Sequence, residues 1–203
     1  DDLLVGAPWA GVEEGDRKNC GKVYLLFGSP DRNVDAGTMD PGSADVIFIG
    51  AGPEDQFGRR LKSSDIDGDG RDDLVIGTMY ADGDEGTLRD CGAAYLFFGR
   101  SRELFPRTID LAVQAADVTV TGAGEKDFLT GEMTTGDVNG DGLIDHYASS
   151  IAWTPEDGPG NDMMMPPSDG SLIDRLHHTG CVSGYCGVVF VLADLVHYRQ
   201  RDI

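Results

Sequence analysis

Basic charge is what this chain has least of. Lys and Arg together number 16 in 203 residues, against 36 Asp and Glu, for a net charge of −20. Nucleic acid and anionic membrane surfaces are gripped through basic patches, so this balance argues against both as partners. Long apolar runs are missing too. The longest, Gly187 to Val196, contains Asp194 and falls far short of the ~20 residues that cross a bilayer. Helical spacing is scarce, and Ser171 to His178 is the one helix-like stretch.

Catalytic motifs are scarce in the same way. There is no glycine-rich phosphate loop, nucleophile elbow or HExxH. His146 follows Asp145 inside a strand pattern, where a partly exposed strand residue is a plainer reading than a base. Glu13-Glu14 and Glu54-Asp55 carry no weight as an acid/base pair in so acidic a chain. The chain opens inside a motif, so we expect residues ahead of it, and the lack of a leader-like start carries no information.

Glycine, by contrast, is plentiful: 29 residues, about twice average usage, which calls for many tight turns. The 40% hydrophobic content argues against wholesale disorder. The chain also repeats itself. ADVIFIGAGPEDQF from Ala44 aligns with ADVTVTGAGEKDFL from Ala116, and Asp65, Asp67, Asp69 and Asp73 align with Asp137, Asn139, Asp141 and Asp145, all 72 residues apart. DDLLVGAPWA at 1 aligns with DDLVIGTMYA at 72, and CGKVYLLFG at 20 with CGAAYLFFG at 91, both 71 apart, with CGVVFVLAD at 186 as a third copy. Each unit reads as four short strands separated by Gly, Pro and Asp turns, and such units in series imply a β-propeller.

These residues resemble the FG-GAP repeats of the integrin α-subunit propeller and its bacterial relatives. Phe57-Gly58, the loop Asp65-Ile66-Asp67-Gly68-Asp69-Gly70-Arg71-Asp72-Asp73 and Gly6-Ala7-Pro8 carry the likeness. Departures are Gly77-Thr78-Met79 in the second unit, and Leu129-Thr130 and Ser149-Ser150-Ile151 in the third. The resemblance implies an all-β fold: a partial β-propeller of four-stranded antiparallel blades, with Ca²⁺-binding loops between first and second strands. We divide the chain into the last three strands of one blade at 1–50, a complete blade at 51–121, and a third blade at 122–203 that carries an insertion and lacks its last strand. About ten strands cannot close a ring of roughly seven blades, so a fragment of a longer protein is expected.

Ca²⁺ takes six to eight oxygens, and side chains at positions 1, 3, 5 and 9 converge on one ion if the backbone curls tightly. Gly68 and Gly70 permit that curl. The ligands expected are Asp65, Asp67, Asp69, the Arg71 carbonyl and Asp73 in the first loop, and Asp137, Asn139, Asp141, the Leu143 carbonyl and Asp145 in the second. An EF-hand needs Glu at position 12 and flanking helices, whereas Ile76 and Ala148 stand there inside strand patterns. The plainer alternative, a solvated Asp-Gly turn, does not call for four acids at alternate positions. Asp2 matches a ninth position whose loop start is absent, and alone binds nothing. The ion's role is structural: it pins the turn between two strands.

From the ninth loop position to the repeat cysteine is 18 residues for Asp2 to Cys20 and for Asp73 to Cys91, but 41 for Asp145 to Cys186. The extra 23 residues lie between Thr154 and Tyr185, on a connection expected to emerge opposite the calcium loops. In the integrin relatives that face takes ligands. Asn161 to His178 is therefore the candidate recognition element, with Asn161, Met163, Met164, Met165, His177 and His178 as contact residues. The plainer reading is an insertion lying against its own blade. His177-His178 with Cys181 and Cys186 matches no common zinc spacing, and a local Cys181–Cys186 disulfide is the simpler pairing in an exported protein. Cys20, Cys91 and Cys186 are expected as small buried hydrophobes, too far apart on neighbouring blades to bridge.

The reading is a non-catalytic, calcium-stabilised module for extracellular binding or adhesion, taking a protein or carbohydrate ligand. The alternative is a propeller appended to an extracellular hydrolase, and a third option is a structural spacer.

Overall fold

The computed structural model describes residues 2–12, 17–29, 40–83, 86–137, 145–149, 176–177 and 189–192. It is all-β, with three four-stranded sheets, and is consistent with a partial β-propeller. In the first sheet, β1 (Leu3–Ala7), β2 (Lys22–Leu26) and β3 (Val46–Ile49) pair antiparallel in that order. In the second, β4 (Arg60–Ser64), β5 (Asp73–Thr78), β6 (Ala93–Phe97) and β8 (Val118–Thr121) form a fully antiparallel meander. The third places β9 (Glu132–Gly136) beside β10 (Asp145–Ser149), then β12 (Val189–Leu192), then β11 (Leu176–His177).

Alternating apolar residues explain why these strands stack face to face. Every residue of β5 is buried. Leu74 and Ile76 pack with Val23, Leu25 and Phe48 of the first sheet, while Val75 packs with Met133 and Ala148 of the third. The middle sheet is thus apolar on both faces, as a sheet between two others must be. Phe48 meets Phe97 edge-on with ring centroids 4.8 Å apart across the first of these interfaces. Leu3 and Val5, which stand 71 residues before Leu74 and Ile76, occupy the equivalent outer face of the first sheet and are 52% and 42% exposed.

Consecutive units are also stitched by backbone. The N–H groups of Glu54, Gln56 and Phe57 donate to the carbonyls of Lys18, Asn19 and Cys20. Lys126, Phe128 and Leu129 repeat this on Arg89, Asp90 and Cys91. Here the Phe-Gly pair meets the Gly-Ala-Pro segment of the preceding unit. Phe57 is fully buried, and a Cβ on Gly6 would stand 2.2 Å from the Gly58 carbonyl oxygen. Gly58 itself has φ +85°, and Thr130, its counterpart, keeps φ +72° despite a β-branched side chain. The drifted sequence retains the backbone shape.

Three features differ from the sequence-based expectation. The first sheet gains a fourth strand, β7 (Thr108–Asp110), which runs parallel to β3 and comes from the β6–β8 connection of the next unit. That connection is long enough to reach over, and Ile109 buries itself in the core between the first two sheets. The first sheet is therefore mixed, not wholly antiparallel. Within the helix-like stretch Ser171 to His178, Leu176–His177 is strand, because its backbone pairs with Phe190 and Val189; the rest lies outside the described residues. That strand fills the outer position of the third sheet, although it precedes β12 in the chain. Twelve strands, not ten, are described.

Candidate metal centre

The acidic loop joins β4 to β5, the first two strands of the middle sheet. Its ends are held by burial. Ile66 is buried between the second and third sheets, and Asp73 is fully buried at the start of β5. Between them the chain curls through Gly68 at φ +73° and Gly70 at φ +85°, a region that side chains other than glycine seldom adopt. The curl turns backbone N–H groups inward onto carboxylates. Asp65 accepts from Asp69 N at 3.0 Å and Gly70 N at 2.9 Å. Asp67 is tied in through Oδ1, which accepts from Asp69 N at 3.1 Å, while its buried Oδ2 accepts no hydrogen bond.

Asp73 braces the loop against the sheet. One oxygen accepts from Ile66 N at 2.9 Å and the other from Gly99 N at 2.6 Å. Burial raises its pKa above the ordinary carboxylate value, and the neighbouring Asp67 charge adds to this; backbone donors at Gly99, Ile66 and Asp67 work the other way. One carboxylate oxygen from each of Asp65, Asp67 and Asp73 lies within 4.8 Å of the others. Three like charges so close repel unless something positive sits between them. Oxygens bound to one ion at about 2.3–2.6 Å can be at most about 5 Å apart, so the three fit around a single hard cation.

Asp69 stands outside that group. Its Oδ1 accepts from Arg71 N at 2.9 Å and its Oδ2 meets the Arg71 guanidinium at 3.2 Å. Of the second loop, Asp137 is described and exposed, and Asn139, Asp141 and Leu143 lie outside the described residues. Asp145 opens β10 opposite Gly136. Asn161, Met163, Met164, Met165, His178, Cys181 and Cys186 also lie outside the described residues, while His177 is placed by its backbone in β11.

Sequence reasoning missed several aspartates that repeat a structural task. Asp2 Oδ1 accepts from Gly28 N at 2.7 Å, just as Asp73 accepts from Gly99 N, so Asp2 performs the bracing half of a ninth position without a described loop before it. Asp45 and Asp117 accept from Phe27 N and Phe98 N at 2.7 and 2.8 Å. Asp55 and Asp127 accept from Gly52 N and Gly124 N at 2.9 and 2.7 Å. Asp55 is buried and its pKa is pushed up to about 6, mainly by desolvation. Its neighbour Glu54 turns outward to Asn19 and Lys18, so the two do not act as a pair. The signal was present in the aligned ADV and GAG-x-x-D segments; what hid it was the number of other acids. Cys20 and Cys91 are buried and free.

Comparison with known proteins finds one family and one kind of relative. The FG-GAP repeat family matches residues 57–97, from the Phe-Gly pair through the acidic loop to the end of β6. Three curated relatives share the name phosphatidylinositol-glycan-specific phospholipase D. The human protein is 35% identical over 127 residues, covering 63% of this chain and 13% of its own. The Bos taurus protein is 28% identical over 141 residues, covering 69% and 15%, and the Rattus norvegicus protein 27% over 153, covering 73% and 16%. The chain thus matches no more than 16% of the length of these relatives. Residues 57–97 thus match an FG-GAP repeat.

Proposed function

We propose that this chain is a calcium-stabilised, non-catalytic FG-GAP propeller segment that serves binding outside the cell. The observation that carries the reading is the convergence of Asp65, Asp67 and Asp73 on a point suited to one hard cation, in a loop closed by two left-handed glycines. Asp69 and the Arg71 carbonyl complete the set when the Asp69 side chain turns from Arg71 to the ion. The second loop, Asp137 to Asp145, takes a second ion through Asp137, Asn139, Asp141, the Leu143 carbonyl and Asp145. Calcium at these loops neutralises stacked negative charge and fixes the turn between two strands; it takes no part in chemistry. Weak loops of this kind suit millimolar calcium outside cells. Among the described residues, no helix is long and apolar enough to cross a membrane.

The ligand surface is the face opposite the acidic loops, where the insertion at Asn161 to His178 supplies contacts to a protein or carbohydrate. The names of the relatives favour a second reading: the segment accompanies a hydrolase that acts on a glycan-linked phosphatidylinositol, and catalysis is carried elsewhere. Calorimetric titration tests the shared premise. Calcium should bind with a stoichiometry of two, falling to one in Asp67→Ala, and magnesium should compete poorly because it demands a tighter octahedron. Absence of calcium binding in a folded protein would sink both readings. Phospholipase activity in the purified chain would overturn the non-catalytic assignment.

A further inference from the structure

The outer edge of the first sheet is covered by a strand lent by the following unit. Ile47 N donates to the Arg107 carbonyl at 2.9 Å and Leu111 N to the Ile49 carbonyl at 3.0 Å, so β7 lies parallel along β3. Ile109 stands beside Phe48 there. With Phe105 and Leu111 of the same connection, it closes the apolar core between the first two sheets.

β8 is the 72-residue repeat of β3: Val118, Thr119, Val120 and Thr121 stand where Val46, Ile47, Phe48 and Ile49 stand. It pairs with β6 in the register in which β3 pairs with β2, Tyr95 opposite Thr119 as Tyr24 is opposite Ile47. Bonded and non-bonded pairs alternate along antiparallel strands, so this shared register turns the Thr119 N–H off the far edge, as it turns the Ile47 N–H toward Arg107. Yet β8 is the last strand of its sheet, and among the described residues no strand lies along that edge. Burial registers the difference. Val46 is 1% exposed where Val118 is half-buried, and Ile47 is half-buried where Thr119 is exposed. The core between the second and third sheets includes Phe98, Val118 and Val120, but among the described residues it has no counterpart of Phe105, Ile109 or Leu111. An open edge flanked by partly covered apolar side chains accepts a further strand.

The repeat identifies the segment. Arg107-Thr108-Ile109 begins ten residues after the end of β6, and Arg201-Asp202-Ile203 begins nine residues after the end of β12, the strand that repeats β6. Arginine and isoleucine recur at the same spacing. Residues 201–203 lie outside the described residues.

We propose that Arg201 to Ile203 adds to the open edge of β8 as a fifth, parallel strand, with the Arg201 carbonyl accepting from Thr119 N and Ile203 covering Val118 and Val120. The third unit is then held to the second as β7 holds the second to the first. The assignment rests neither on the acidic loop nor on an ion.

Amide hydrogen exchange of the whole chain, read by NMR at low and at high protein concentration, tests this. The Thr119 amide should be protected alongside the Ile47 amide, and equally at both concentrations. Ile203→Asp puts a charge where an apolar side chain is needed. In that variant Thr119 should exchange about tenfold faster, the loss expected for one hydrogen bond, while Ile47 under β7 stays as it was. Ile203→Val should keep the protection. Fast exchange of Thr119 in the parent, or undiminished protection in Ile203→Asp, would overturn the proposal. So would protection that grows with concentration, the mark of a strand supplied by a second copy.

Discussion

Arg17 and Asp110, far apart in the chain, meet fork to fork: both terminal nitrogens of the arginine lie 2.6 Å from the two carboxylate oxygens. Arg17 also donates to the Gly50 carbonyl at 3.0 Å, so one side chain ties the loop before β2, the end of β3 and the strand β7 together. That strand belongs by sequence to the following unit. The pair therefore clamps one unit's edge onto its neighbour.

Removing it should loosen β7. Asp110→Ala or Arg17→Ala is expected to cost about 1–2 kcal/mol, with a coupling of about 1 kcal/mol in the double-mutant cycle, since the pair is bidentate and only about a quarter exposed. Hydrogen bonding from Arg17 depresses the Asp110 pKa. A depressed carboxylate stabilises the fold above its unfolded value near 4 and loses that contribution as pH falls through the folded one. Urea midpoints should therefore show a smaller acid-side loss in Arg17→Met than in the parent. Additive single-mutant effects would mean the two residues are not energetically coupled.

Gly58→Ala should be far more damaging than its size suggests. The added Cβ would sit 2.4 Å from Val23 Cγ2, on a residue already at φ +85°. Strain and overpacking together predict a loss of about 3 kcal/mol by denaturant unfolding. Thr130→Gly, at the equivalent place, relieves the same backbone strain while emptying a buried site, so the two effects offset to within about 1 kcal/mol. A neutral Gly58→Ala would contradict this account of the Phe-Gly contact.

Asp55 gives the fold a pH dependence of opposite sign. Burial lifts its folded pKa to about 6, so the folded state holds the proton more tightly than the unfolded chain. The resulting stability is complete below about pH 4 and disappears as pH rises through 6, an effect on the order of 2 kcal/mol. Asp55→Asn keeps an acceptor for Gly52 N and removes the titration. Its melting temperature should change less between pH 4.5 and 7.5 than the parent's, and identical profiles would rule Asp55 out as the source.

Cys20 and Cys91 should behave as core residues. Both are fully buried; burial raises each thiol's pKa, that of Cys91 to about 11. In the native protein at pH 8, a thiol reagent should react with neither on the timescale of minutes, and with both at once in denaturant. Rapid native labelling at either position would mean that the strand before it opens.

The parts legible in the sequence were those written in local pattern. Asp73–Thr78 is an apolar run after an acidic turn, and the alternate aspartates with Gly68 and Gly70 announce a curled loop. β7 was not legible, because Thr-Ile-Asp is too short for periodicity and its partner Val46–Ile49 is distant in the chain. β11 was hidden for the same reason, its pairing being decided by the edge that β12 offers. Within the site, spacing pointed to Asp65, Asp67 and Asp73 together, but it could not show that Asp69 turns to Arg71 or that Asp73 is braced by Gly99 from another strand. The Gly99 brace depends on where β6 ends relative to β5, and the Asp69 contact on the rotamer its side chain takes within the loop.

The central claim is that the Asp65–Asp73 loop is a structural calcium site, and thermal unfolding across a calcium titration tests it most directly. The parent's melting temperature should climb steadily with calcium, as it must when an ion binds only the folded state. Asp65→Ala with Asp137→Ala should abolish the climb while leaving the strands intact by circular dichroism. A melting temperature that stays flat from chelator to millimolar calcium, in a protein that unfolds cooperatively, would contradict the account.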